Sequence, residues 1–401
     1  MKVFQINSVA NSGSTGRIAE NIGLVLQDAG HKSYMAYGRN SQASQLNTIK
    51  IGSQLDVYAH GIKTVLTDKH GFGSKQATKE FLKRVDEIKP DAIGLHNLHG
   101  YYINIELLFN YLKETQIPVL WTLFDCWAFT GHCTYFDDIS CEKWKTQCHH
   151  CPKTANYPRA MVDNSRWNYN HKKELFTGLK NMELLTHSNW LKELVKKSFL
   201  SDYKVNVTPS AIDLETFKPI SSNLRELHYL EDKKILLGCA NIWSNRKGYK
   251  DFKELSRMIS EEYQIVMIGL NDKELKDLPN NILGLKRTDS IHELAQWYTL
   301  AVAFINPTTQ DNFPTTNLEA LACGTPVITY NTGGSPEAID ESTGLVVEKG
   351  NVAALHKAVQ VLGTKNHKKT KSACRSRAEG LYDKKVRYLD YLEIFERLTK
   401  Q

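Results

Sequence analysis

Residues 301–337 read AVAFINPTTQDNFPTTNLEALACGTPVITYNTGGSPE, and the fold turns on this stretch. The apolar run 301–307 has the length and composition of a buried strand. A short loop with Asp311 and Phe313 follows, and a helix begins near Pro314 and Thr315, the fixed φ of Pro314 suiting a first helical position. Gly324 stops that helix, and a second strand starts at Pro326. The unit is strand, helix, strand, with a loop turned to a ligand. Unpaired N–H groups at the helix start, beside the hydroxyls of Thr315 and Thr316, favour an anion such as phosphate. Asp311 before the helix and Glu319 one turn in offer acceptors for sugar hydroxyls, while Gly333 and Gly334 allow a second loop close to the same ligand.

Two acids eight positions apart, then EA-A-CGTPV and GG-PE: this pattern resembles the signature of family 4 (group 1) retaining glycosyltransferases, with Asp311 where the first acid is usually Glu. The resemblance implies an α/β protein of GT-B fold, two Rossmann-like domains facing a cleft. It implies further that Asp311 contacts the donor sugar and Glu319 the donor ribose, and that Lys247, in the Lys247-Gly248 pair, binds the donor diphosphate. The usual upstream arginine falls on Asn241 here, so Arg246 is expected to share that charge. Asp311, Glu319 and Lys247 are the expected catalytic residues. Gly16, Arg246, Lys247, Asn312, Phe313, Pro314, Thr315 and Glu319 are the expected donor-binding set.

The chain has 401 residues, enough for two domains, with 41% hydrophobic and 10% aromatic residues to build both cores. No apolar run reaches membrane-spanning length, and the N-terminus turns polar after six residues, which reads as a cytoplasmic protein. The net charge is +7, and residues 364–401 hold 11 Lys and Arg against 5 Asp and Glu. That excess suits a lipid diphosphate or peripheral contact at the inner face of the membrane, or a solvated helix face. The basic residues are not interleaved with a stacking platform, which argues against nucleic acid.

In chain order, the strand at 1–6 and the loop NSVANSGSTG lead to a helix expected at 17–29 and the strand SYMAYG. Gly13 and Gly16 bring backbone toward a phosphate there. A helix at 76–89 precedes the strand DAIGLH, whose end carries His96, Asn97 and His99. A helix at 105–115 leads to PVLWTLFD and Asp125. Polar groups at strand ends are where open parallel sheets hold ligands, so His96, His99, Asp125 and His132 are acceptor-side candidates, with structural histidines as the plainer reading. Related sequences often carry His where this chain has Phe124, which leaves His99, Asp125, His132 or the departing phosphate oxygen to take the acceptor proton.

Cys133, Cys141, Cys148 and Cys151 follow a W-FTG-C motif at spacing C-x7-C-x6-C-x2-C, compact enough for one structural Zn²⁺ in a reducing compartment, with His132, His149 or His150 as substitute ligands. A similar cysteine-rich insert marks the colanic-acid and exopolysaccharide branch that this chain resembles. Residues 159–180 read as a polar helix, and 189–200 as an amphipathic one that covers the sheet or touches a membrane. The tail 372–398 reads as one helix.

The expected organisation is an acceptor-side domain at 1–217 with the insert at 131–152, a nucleotide-sugar-binding domain at 218–380, and a helix at 381–401 crossing back. The expected function is retaining transfer of a sugar from a nucleoside diphosphate sugar, UDP-linked by preference, to a lipid-linked or polysaccharide acceptor in exopolysaccharide, capsule or O-antigen synthesis. No Asp-x-Asp motif occurs, which agrees with catalysis without a metal cofactor. A non-catalytic nucleotide-sugar-binding assembly protein and a sugar-nucleotide epimerase are the alternatives.

Overall fold

Short apolar runs without a polar face alternate with amphipathic helices along the chain, the pattern of strands covered on both sides by crossover helices. The computed structural model, which describes residues 1–364 and 367–400, arranges them as two units. The first comprises Met1–Thr208 and the chain from Tyr388 onward, the second Pro209–Arg387.

In the first unit, β1 (Lys2–Asn7), β2 (Lys32–Tyr37), β3 (Asn47–Lys50), β4 (Ala92–Leu95), β5 (Val119–Leu123), β6 (Met182–Thr186) and β7 (Val205–Val207) form one sheet. Its order is β3-β2-β1-β4-β5-β6-β7, parallel throughout. The helices are α1 (Gly13–Asp28), α2 (Gln54–Thr67), α3 (Lys75–Ile88), α4 (Ile105–Thr115), α5 (Ser165–Phe176) and α6 (Asn189–Lys196). Every residue of β4, β5 and β6 is buried. The order reverses between β1 and β4, so the loops after these two strands diverge and leave a crevice for a ligand.

The second unit repeats the plan. Strands β8 (Lys234–Cys239), β9 (Tyr263–Ile268), β10 (Ile282–Leu285), β11 (Ala301–Asn306), β12 (Val327–Tyr330) and β13 (Gly344–Val347) lie in the order β10-β9-β8-β11-β12-β13, again parallel, with the reversal between β8 and β11. Its helices are α7 (Leu224–Leu227), α8 (Tyr249–Leu255), α9 (Asp272–Lys276), α10 (Ile291–Leu300), α11 (Thr315–Ala322), α12 (Val352–Thr364), α13 (His367–Leu381) and α14 (Lys384–Leu398). From Tyr388 on, α14 belongs to the first unit, where Arg397 pairs with Glu183.

Several boundaries differ from the sequence reading. Helix α1 starts at Gly13, not at 17, because Gly13 takes φ +62° and turns the chain into the helix early. Residues 159–180 form a helix only over Ser165–Phe176. The expected single helix at 372–398 is two, broken at Tyr382 and Asp383. There the Ile212 N–H donates to the Tyr382 carbonyl at 2.8 Å and the Lys384 N–H to that of Ile212 at 3.0 Å. The first unit ends at Thr208 and not at 217, since Ile212, Leu214 and Phe217 pack into the core of the second. The second unit runs on to Arg387. Gln401, the end of the expected crossing helix, lies outside the described residues. On α6, Leu191 and Val195 are buried, so this helix covers the sheet.

Candidate functional site

The reversal of strand order in the second unit brings together the loops after β8 and β11. The chain leaves β8 through a single helical turn, Asn245–Lys247, and Gly248 (φ +79°) swings it into α8; a Cβ there would stand 2.3 Å from Pro307 Cγ. This close crossing sets Lys247 beside the loop after β11, where its Nζ lies 2.6 Å from Asp311 Oδ2, both side chains about one-fifth exposed. Arg246 turns elsewhere: one guanidinium nitrogen donates to the Gln310 carbonyl at 2.7 Å, while its own carbonyl accepts from Thr309 N–H at 2.8 Å. It braces the loop that carries Asp311.

Helix α11 begins at Thr315, and Pro314 is its N-cap (φ −63°, ψ 117°) rather than its first residue. Its carbonyl is followed by helix N–H groups with no partner inside the helix, and Pro314 offers no capping side chain. Asn312 and Phe313 are buried beneath this end, the Phe313 ring 6.0 Å from Tyr382. One turn in, Glu319 Oε2 accepts the Tyr298 hydroxyl at 2.8 Å. The negative charge of Glu319 and burial together push Cys239, on β8, up to about 12, burial contributing most.

A buried polar chain fixes the helix: Asn306 Nδ2 donates to Asn317 Oδ1 at 2.7 Å, Asn317 Nδ2 to Ser335 Oγ at 3.1 Å, and Ser335 meets Thr329 at 2.7 Å. The GG-PE loop closes on the same point. Gly333 takes φ +54°, and a Cβ on it would stand 1.7 Å from the Asp311 carbonyl oxygen, so only glycine fits. Lys247, Asp311, Glu319 and the start of α11 thus surround one corner, while Gly16 belongs to the first unit, buried in the first turn of α1 against Val9 and Asn11.

The acceptor-side candidates of the first unit separate into two kinds. His99 and Asp125, at the ends of β4 and β5, form a pair: His99 Nε2 to Asp125 Oδ2 is 2.8 Å, and Asp125 Oδ1 accepts the Trp127 N–H at 2.9 Å. Tyr157 OH stands 3.1 Å from the other ring nitrogen of His99. By contrast His96 is buried against Gln5 (2.9 Å), and burial holds it down to about 3, so it is neutral. His132 is fully buried with Nδ1 2.5 Å from Asp68 Oδ1, a structural pair away from the strand ends.

Around His99 lies a cluster that the sequence reading passed over. His70, fully buried, meets four rings tilted or edge-on, their centroids 4.9 Å away for Tyr101, 5.5 Å for Trp127, 5.7 Å for Tyr157 and 6.1 Å for His99. His60 of α2 accepts the N–H groups of Gly71 and Gly73, each at 3.2 Å, on Nε2. Burial, with Lys63 beyond it, holds this imidazole down to about 3. Lys172 lies buried over the Trp127 ring, where burial draws its pKa to about 7. The glycines of His70-Gly-Phe-Gly were the available signal: a Cβ on Gly73 would strike His60 at 2.3 Å.

The insert adds no regular helix beyond a single turn at Lys143–Lys145. All four of its cysteines are free thiols and line one cavity of about 20 Å³ with Trp144, Phe136 and His132. Gly131 N–H points at Cys148 Sγ (3.2 Å), and a hydrogen bond from the Cys133 thiol lowers the Cys151 thiol below its ordinary range. Among the described residues, no three His, Cys, Asp or Glu side chains already stand as a metal-ligand set.

Two tandem Rossmann-like parallel sheets, each with one reversal of strand order, make this a protein of GT-B fold, the architecture of solved glycosyltransferases that it superposes on. Residues 233–365 match the family described as Glycosyl transferases group 1, and the second unit is a domain of that family. Escherichia coli K12 WcaC, provisionally named a colanic acid biosynthesis glycosyl transferase, is 21% identical over 88% of this chain and 89% of its own. The N,N'-diacetylbacillosaminyl-diphospho-undecaprenol alpha-1,3-N-acetylgalactosaminyltransferase of Campylobacter jejuni is 27% identical over 52% of this chain and 58% of its own. In fold, Anabaena HepE solved with UDP superposes with a TM-score of 0.69 at 13% identity, over 99% of both chains. Among the described residues no helix is long and apolar enough to cross a membrane.

Proposed function

We propose that this chain transfers a sugar, with retention, from a nucleoside diphosphate sugar, UDP-linked by preference, to a lipid-linked glycan acceptor in surface-polysaccharide synthesis. The observation that carries the reading is the corner where Lys247 meets Asp311 beside the start of α11, with Glu319 one turn further on. Sugar transfer leaves a diphosphate, and its growing charge needs donors fixed in place before the bond breaks. Lys247 and the free N–H groups of α11 supply such donors, Glu319 receives the ribose hydroxyls, and Asp311 faces the donor sugar. Arg246 acts through the backbone of the loop it braces. The acceptor hydroxyl needs a base, and the 2.8 Å pairing of His99 with Asp125 supports His99 for that task despite Phe124.

The relatives named for colanic acid synthesis and for an undecaprenol-linked acceptor support an acceptor of this kind, met at a membrane surface. HepE solved with UDP supports the choice of base. The test is nucleoside diphosphate release from UDP-, GDP- and ADP-sugars, in EDTA, with and without a lipid extract. Release from one donor, accelerated by extract, is the expected result; no binding of any donor rejects the reading.

The insert carries a separate proposal: Cys133, Cys141, Cys148 and Cys151 would hold a structural Zn²⁺, which would tie the insert together through their thiolates. Four thiols around one small cavity support it, as does the N–H of Gly131 aimed at Cys148 Sγ. His132 Nε2, buried at the same cavity without a partner while Asp68 holds Nδ1, is a ready substitute ligand. Elemental analysis of protein purified without added metal decides: stoichiometric zinc is expected, and folded protein with reactive thiols and no zinc rejects it.

A further inference from the structure

Glu319 stands on α11, but how its carboxylate is held is decided by α10. Ser290 caps the start of α10, its Oγ accepting the Glu293 N–H at 3.1 Å, and the helix buries Ala295, Trp297 and Tyr298. Tyr298, in the last turn, is wholly buried. Its ring meets Phe304 of β11 edge-on at 5.3 Å and Phe217 at 6.2 Å. Its carbonyl accepts the Thr325 hydroxyl at 2.5 Å, from the turn that follows α11. Ring and backbone are both gripped, so the phenol has a set direction.

A phenol this deep needs a partner for its O–H, and it finds one in Glu319 Oε2 at 2.8 Å. Burial first, and the charge of Glu319 next, push the Tyr298 phenol up, so it remains a donor. Glu319 itself is only partly buried. The last torsion of a glutamate is soft, and its carboxylate offers about four acceptor positions. A fixed donor on one oxygen sets the plane in which the others meet a ligand.

We propose that Tyr298 is a positioning residue for ribose recognition: its hydroxyl holds the Glu319 carboxylate in the plane that receives the ribose hydroxyls of the donor nucleotide. The proposal rests on the reading of Glu319 as the ribose-binding acid and goes one step beyond it, since Tyr298, wholly buried, acts through Glu319 alone. Preference for ribose thus becomes a property of two side chains on different helices, one of them sealed in the core. Without the phenol, Glu319 turns freely and meets ribose and deoxyribose more nearly alike.

The test is calorimetric titration of UDP, GDP and ADP, each beside its 2′-deoxy and 3′-deoxy forms, into wild type, Tyr298→Phe and Glu319→Ala. Phe keeps the ring between Phe217 and Phe304, and a cooperative thermal transition verifies that the variant folds. Tyr298→Met, of similar length and also without a donor, replaces it if Phe does not fold. Wild type is expected to bind one ribonucleotide about tenfold or more tighter than a deoxy form, as for a hydrogen bond to a charged group. Glu319→Ala is expected to bring that ratio near one. Tyr298→Phe is expected to cut it about threefold or more by weakening the ribonucleotide, with affinity for the deoxy form unchanged. A merely structural role weakens both forms alike. In Tyr298→Phe/Glu319→Ala the ratio is expected to match that of Glu319→Ala, because the two residues act as a unit. A wild-type ratio in Tyr298→Phe, or equal weakening of both forms, overturns the proposal while a lost ratio in Glu319→Ala leaves the ribose reading standing. A ratio kept by Glu319→Ala, or no binding of any nucleotide by wild type, rejects that reading and the proposal together.

Discussion

In the second unit, Lys247, Asp311 and Glu319 come from the loops after two neighbouring strands and the helix that follows, and two of the three lie within residues 301–337. In the first, His60, His70, His99, Asp125 and Tyr157 come from five separated segments and meet only when the sheet is wound. On the proposed function, a diphosphate leaving group presents one invariant problem, and one local arrangement of lysine, helix start and acids is expected to answer it. An acceptor differs from chain to chain, and the proposed site for it is assembled from loops that are free to vary.

This contrast is broken or sharpened by four changes. Lys247→Ala removes the cation nearest the expected diphosphate; activity is expected to fall by about a thousandfold, as for loss of a fixed transition-state donor. Steady-state kinetics with the preferred donor check it, and a fall under tenfold removes Lys247 from the diphosphate. His99→Gln takes away the proposed base while keeping a polar side chain, and kcat is expected to drop by about a hundredfold with donor affinity intact. Loss of donor binding in that variant instead merges the two sites. Tyr157→Phe deletes one hydrogen bond to His99, worth about 1 kcal/mol, so roughly a fivefold rise in acceptor KM is expected, with donor KM unmoved.

The smallest effect lies away from both sites. Burial opposes ionisation of Glu183, but hydrogen bonds from Arg397, Asn206 and Lys204 prevail and hold it at about 2, against an ordinary 4.5. A depressed carboxylate contributes stability that is full above 4.5 and lost as pH falls toward 2. Arg397→Ala is therefore expected to lower the melting temperature by roughly 2–4 °C at neutral pH, with the difference vanishing in acid. A difference that persists unchanged in acid contradicts the pairing.

The doubly wound sheets were legible because each buried strand is an apolar run closed by turn residues, and the stretch 301–337 names its own strand, loop and helix. Gly333 and Gly248 were equally legible, since each stands where a Cβ collides with backbone or proline. What sequence could not show is pairing over long separations. His99 and His132 read alike as strand-end or loop histidines, yet one meets Asp125 in the crevice and the other is sealed against Asp68. Tyr157 sits in a polar strap with no pattern of its own and gains a role only from where the strap lies. Helix α2 was overlooked because its apolar residues occupy both faces, and periodicity does not tell which of them the sheet covers.

The most direct test of the central division is calorimetric titration of the preferred nucleoside diphosphate into Lys247→Ala and His99→Gln, with transfer measured on the same samples. The account predicts that Lys247→Ala loses nucleotide binding, whereas His99→Gln binds as wild type does and fails to transfer. Wild-type binding by Lys247→Ala, or loss of binding by His99→Gln, contradicts it.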